Sequence, residues 1–212
     1  MKEFFNPENK MWNSIGKLAD TTVLSFLWVL TSLPIITMGA STAAFFDFSF
    51  KMVRDHEGMV FSAYFKAFKK HFFKGTIINL AGLAFYIFLF WDFRLALAYY
   101  KMSGGGFLWL TLALSLFTIA CVFTLYLFYV YGLLAVFDKD LKKLAKDGLA
   151  MTFANPGYSL LIFLACLACF ALIYYLSGLF FLWLGLLFLL VSYILTPLFR
   201  DMSKKSERKG HV

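Results

Sequence analysis

Cys166 and Cys169 stand three residues apart, so a helix places both thiols on one face, the spacing of half a metal or redox site. No histidine or second cysteine pair lies near them, and His56, His71 and His211 fall in connectors or the tail. All three cysteines, Cys121 included, are therefore expected to pack as small apolar residues. Asp47 precedes Lys51 by one helical turn, which allows an ion pair at a helix end or, deeper in a membrane, an acid serving transport. Asp92 and Arg94 diverge on a helix. Ser103-Gly104-Gly105-Gly106 is a flexible turn without the context of a phosphate loop. The sequence contains no His-Glu-x-x-His, no Gly-x-Ser-x-Gly and no Walker A motif. The expectation is a non-enzymatic protein with no cofactor, no metal and no nucleic-acid partner.

The conspicuous chemistry is that of the backbone. Pro34 lacks an N–H and its ring clashes with the preceding turn, so a helix running through it must kink or stop. Gly39 lets another backbone approach closely, and Thr37 or Ser41 can cap a second helix that carries Ala43, Ala44 and Phe45 onward. Lipid cannot satisfy the freed carbonyls. The hydroxyls of Thr31, Ser32, Thr37, Ser41 and Thr42 can, provided that the break is buried against other helices or water. Pro34, Thr37, Gly39 and Ser41 are thus candidate packing or interaction residues. Asn79 is another polar group inside an apolar run.

A second candidate surface lies between residues 51 and 74. Phe61, Tyr64, Phe65, Phe68 and Phe72 recur with helical period, while Lys66, Lys69 and Lys70 point elsewhere. This is an amphipathic basic helix, suited to lie among headgroups with its rings at the acyl boundary or to dock on another protein. Residues 138–156 repeat the theme on a smaller scale, with Lys139, Lys142, Lys143 and Lys146 beside Leu141, Leu144 and Ala145.

These elements need a membrane. Of 212 residues, 61% are hydrophobic and only 15% charged, too little polar surface to cover a soluble globule. The fold class expected is all-α: a single polytopic membrane domain over residues 1–212 with about five hydrophobic segments, the first broken at Pro34. The segments are Thr21–Phe46, Gly75–Tyr100, Phe107–Phe137, Tyr158–Tyr175 and Leu179–Phe199. Residues 1–20, with Trp12, Ile15 and Leu18 on one face, suit an interfacial segment, and residues 200–212 form a basic tail. Five crossings put 15 Lys and Arg on one side and 5 on the other, with the N-terminus outside. A re-entrant first segment makes the ratio 18 to 2. Charge favours the second arrangement, whereas the exposure of a reversed chain to lipid opposes it.

The run Leu33-Pro34-Ile35-Ile36-Thr37-Met38-Gly39-Ala40-Ser41-Thr42-Ala43, followed by Tyr64-Phe65-Lys66-Ala67-Phe68-Lys69-Lys70-His71-Phe72, resembles the YesL-like family of small bacterial integral membrane proteins of unknown function. The resemblance extends over nearly the whole chain. It implies a multi-pass protein of the bacterial cell membrane with an accessory role beside carbohydrate-uptake ABC transporters, whose permease subunits become candidate partners together with the lipid bilayer. It supplies no catalytic residues. An autonomous small-solute carrier or channel, acting as an oligomer, is the alternative. His71 stands where the family more often has Asn, a departure expected to touch only the cap or surface of the connector.

Overall fold

A computed structural model describes residues 10–54, 59–102 and 104–210, with side-chain surroundings between Gly16 and Met202. Among the described residues there is no strand, and the expected all-α bundle holds. Seven α-helices follow one another: α1 Lys10–Ser32, α2 Met38–Val53, α3 Val60–Met102, α4 Phe107–Val136, α5 Leu141–Ala154, α6 Pro156–Tyr175 and α7 Phe180–Gly210. Single 3-10 turns, Ile35–Thr37 and Ser177–Leu179, sit at two of the reversals.

Among the described residues, four helices are long and apolar enough to cross a membrane: α3, α4, α6 and the Ser177–Met202 stretch leading into α7. The first apolar segment behaves differently. Lys17 Nζ donates to the Met52 carbonyl at 3.3 Å, Trp28 Nε1 to Thr42 Oγ1 at 3.1 Å and Thr37 Oγ1 to the Thr31 carbonyl at 2.7 Å. Partners that ascend along α1 descend along α2, so the two helices are antiparallel. The segment returns to the side from which it came.

Of the two arrangements that the sequence leaves open, five crossings or a re-entrant first segment, the antiparallel pairing of α1 and α2 matches the second. Pro34 is extended, with ψ of 109°, and redirects the chain where an N–H is missing, so the helix stops instead of kinking. With the first segment folded back and the four long apolar helices crossing, the basic residues divide in the ratio of 18 to 2. Against the expectation of a buried break, the reversal from Leu33 to Ile36 stays exposed; its freed carbonyls at Thr31, Pro34 and Ile35 are satisfied by Thr37 and Asn79 instead, while α2 behind it is wrapped by the rest of the bundle. The segment expected at the interface is continuous with the first helix. From Lys10 onward it is the beginning of α1 itself, continuous to Ser32, while residues 1–9 lie outside the described residues.

Along α2, Gly39 to Phe46, Phe48 to Phe50 and Met52 are buried. Its rings meet those of the crossing helices: Phe45 stacks on Phe188 at 4.3 Å, Phe46 meets Phe128 edge-on at 6.2 Å, and Phe50 meets Phe199 at 5.4 Å. In lipid the removal of apolar area from water does not drive helix association. Close contact, ring geometry and hydrogen bonds must hold α2 in place instead.

The remaining helices pair as antiparallel neighbours. Tyr86 and Thr124 join α3 to α4 through their hydroxyls at 2.8 Å, and Tyr99 stacks on Trp109 at 4.7 Å near the far end. Cys169 Sγ donates to the Trp183 carbonyl at 3.4 Å between α6 and α7. Here the cysteine is a packing residue. Among the described residues no group of His, Cys, Asp and Glu could hold a metal.

Candidate functional site

The hairpin tip is built by the residues that break the helix. Thr37 Oγ1 donates to both the Thr31 and Pro34 carbonyls, the latter at 2.8 Å, while the Thr37 N–H bonds Pro34 O at 2.9 Å. Thr37 occupies the N-cap of α2, yet its hydroxyl does not cap: the residue is helical, and its side chain is turned back to the orphaned carbonyls. Ser41 and Thr42 donate to the carbonyls of Thr37 and Met38. The Ile35 carbonyl receives Asn79 Nδ2 from α3 at 2.7 Å. Ser32 Oγ is the hydroxyl of this set that is buried without a partner among the described residues.

Beside the tip, α2 crosses α3 backbone to backbone. A Cβ added at Gly39 would overlap the Gly75 carbonyl oxygen and lie 2.7 Å from Asn79 Cβ. One added at Gly75 would lie 2.9 Å from the Cα and N of Ala40. Glycine is required on both helices, because the atoms in the way are mainly main chain and cannot swing aside. Gly75 was not singled out in the sequence, although Ala67, His71 and Gly75, four residues apart, mark the stripe that faces inward.

A cavity of about 410 Å³ adjoins the tip, between Ile35 and Met38, α3, α4 and α7. Its polar side chains are largely spent on one another: Trp28 on Thr42, Asn79 on the Ile35 carbonyl, Tyr86 on Thr124. Leu83, Leu127, Phe128, Leu184 and Phe188 line the rest.

The connector surface is divided. Tyr64 is fully buried, its hydroxyl 2.6 Å from Thr31 Oγ1, and Phe68 is half-buried, whereas Phe61 is 58% exposed and Phe65, Phe72, Lys69 and Lys70 are exposed. The five aromatics therefore do not share one surroundings. Ala67 and His71 accompany Tyr64 into the protein, since that stripe follows the crossing at Gly75. His71 is only 3% exposed, against the expectation of a surface position. It lies on the connector part of α3, before the uncharged run that begins at Gly75. Burial pushes its imidazole down to about 4, and the Lys70 charge acts in the same direction.

Two connectors converge here. Lys74 Nζ lies 2.6 Å from Asp138 and 3.1 Å from the Lys139 carbonyl, and Lys139 pairs with Asp147 at 2.5 Å. The hydrogen bond and charge of Lys74 hold the Asp138 carboxyl below its ordinary value. Asp47 bonds Lys51 at 2.9 Å, the helix-end pair of the sequence reading. Lys66, Lys142, Lys143 and Lys146 remain exposed around these pairs. The face is basic and bordered by exposed rings.

With this geometry in view, comparison with known proteins is informative. Residues 21–93 match the family model described as a protein of unknown function, DUF624. The uncharacterized protein YesL of Bacillus subtilis (strain 168) is 24% identical over 206 residues, covering 96% of this chain and 95% of the relative. The chain resembles YesL over nearly its whole length. The uncharacterized protein YteU of the same organism is 28% identical over 169 residues, covering 77% of this chain and 72% of YteU. No solved structure matches. The stretch matched by the family model begins on α1 and ends at Phe93 on α3, so it contains the reversal at Pro34, all of α2 and the Gly39–Gly75 crossing.

Proposed function

We propose that this YesL-like chain is a non-enzymatic membrane accessory protein that docks on a transporter through its connector face. The observation that carries the reading is how the tip uses its polar groups. Thr37 and Asn79 return their donors to the carbonyls freed by the break, and Ser41 and Thr42 theirs to the first turn of α2, so the discontinuity is a hydrogen-bonded joint. A solute path would present such groups to the solute. The exposed Phe61, Phe65 and Phe72 beside Lys66, Lys69 and Lys70 supply a surface of aromatic and cationic character on which another chain can seat.

Carbohydrate ABC-type uptake as the system served, with permease subunits as partners, rests on the family resemblance. The bacterial cell membrane as location follows from the same resemblance together with the four apolar helices. Purification in mild detergent from the native membrane tests the proposal: permease chains should co-elute, and deletion should lower uptake of one glycan while transporter levels persist. Recovery of the chain alone, with solute flux in vesicles reconstituted from it, overturns the proposal in favour of a carrier or channel.

A further inference from the structure

The cavity at the hairpin tip shares Tyr86 with a second cavity of about 390 Å³, which continues along α3 and α4 past Phe90 to Phe93. On α3 the lining recurs at Asn79, Leu83, Tyr86, Phe90 and Phe93, three or four residues apart, so both cavities lie on one face of the helix. They meet at Tyr86, and end to end they form a groove over roughly 21 Å of helix from Asn79 to Phe93, narrowed where Tyr86 bonds Thr124. That length exceeds one leaflet's share, about half, of a hydrocarbon core of about 30 Å.

The reversal at Pro34 explains why the groove exists. α1 and α2 end at the tip, where Ile35 bonds Asn79, while α3 continues to Met102. No stretch of this first hairpin follows α3 beyond that point. The tip itself ends in apolar side chains, with Leu33 72% and Ile35 62% exposed. The polar pairs along the groove, Asn79 with the Ile35 carbonyl and Tyr86 with Thr124, are already closed, which leaves the Tyr131 hydroxyl at the inner end as the unpaired polar group among the described lining residues. A water-soluble ligand would find few free partners there. Arg94 stands exposed one residue beyond Phe93, at the level of the far end.

We infer that this groove binds one acyl chain of a phospholipid from the leaflet opposite the connectors, its methyl end on Ile35 and Met38 and its headgroup at the level of Arg94. An elongated apolar groove at hydrocarbon depth matches such a chain in shape and in polarity. The occupant enters from the bilayer, so no passage from water is required.

Trp28 lines the inner end of the groove and reports on it directly. The test uses the full chain with Trp12, Trp91, Trp109 and Trp183 replaced by Phe, reconstituted in phosphatidylcholine vesicles brominated either near the acyl methyl end or near the carbonyl. Methyl-end bromine should remove most of the Trp28 emission, and carbonyl-end bromine little. Gly82→Phe, at a position where a Cβ meets Leu127 at an ordinary 3.6 Å, should fill the groove and restore the emission, as should Leu83→Phe. Three results overturn the proposal: Trp28 indifferent to both lipids, Trp28 quenched by aqueous acrylamide, or undiminished bromine quenching in the two filled variants with helicity retained.

Discussion

The two ends of the bundle are built on opposite rules. Around α2, a helix of sixteen residues is buried along nearly its whole length against α1, α3, α4 and α7. In α4, by contrast, only 6% of the most apolar stretch is buried, and Leu108, Leu114 and Phe117 stand exposed. Both regions are strongly hydrophobic. What separates them is side-chain size and backbone approach: α2 opens with Gly39, Ala40, Ser41, Ala43 and Ala44, whereas α4 opens with Phe107, Leu108 and Leu110. In a membrane, then, small residues mark the surface meant for protein and large ones the surface meant for lipid.

Gly39→Leu breaks this contrast most severely. Ordinary overpacking costs about 1–3 kcal/mol, but here the overlap is with the Gly75 main chain, so the effect should exceed that range and abolish folded yield. Gly82→Leu, whose Cβ meets the side chains of Leu127 and Phe123 at ordinary contact distances and no main chain, should leave the yield near wild type. Monodisperse recovery in detergent distinguishes the two. Equal loss at both positions would erase the distinction between the regions.

Acid should act on the packed region next. His71 is held down at about 4 against 6.5 for an ordinary imidazole, so between these values the unfolded chain takes up a proton that the folded chain refuses. Stability should therefore fall as pH drops from 6.5 towards 4. His71→Asn should flatten the profile, as measured by thermal unfolding across that range. A wild-type profile already flat would mean that the imidazole reaches water.

These expectations show which features were legible in the sequence. Pro34, Gly39 and the hydroxyls around them marked the discontinuity, because a missing N–H and freed carbonyls are local consequences of residue type. The reversal itself was not decided locally: a kink and a hairpin need the same proline, and only the pairing of Trp28 with Thr42 and Lys17 with Met52 selects the hairpin. The connector misled for a related reason. Aromatic periodicity pointed to one apolar face, yet the stripe that enters the core is Tyr64, Ala67, His71 and Gly75, set by the crossing with Gly39. A partner contact with no local trace, such as Gly185 against Thr21 and Ser25, could not be found at all.

Smaller effects sharpen the comparison. Tyr64→Phe removes the hydroxyl's contacts with Thr31 and Ser41, but these keep their bonds to the Leu27 and Thr37 carbonyls, so the loss should be about 0.6 kcal/mol per contact, typical of interhelical hydrogen bonds in membranes. Tyr86→Phe should cost a similar amount, and unfolding in mixed detergents measures both. Least of all should follow from Lys69→Gln or Lys70→Gln, whose side chains are exposed. Folding should be unchanged, and binding to anionic vesicles should weaken by about 1 kcal/mol per charge. Phe65→Glu should instead reduce co-purification of a partner chain.

The reversal at Pro34 is tested most directly by sidedness. Single cysteines at Gly16, Lys70 and Met102, in a chain with Cys121, Cys166 and Cys169 replaced, would be treated with a membrane-impermeant thiol reagent on intact cells. The hairpin predicts that Gly16→Cys and Lys70→Cys are both protected while Met102→Cys is labelled. Labelling of Gly16→Cys with Lys70→Cys still protected would mean that the first segment crosses the membrane, and would contradict the re-entrant hairpin.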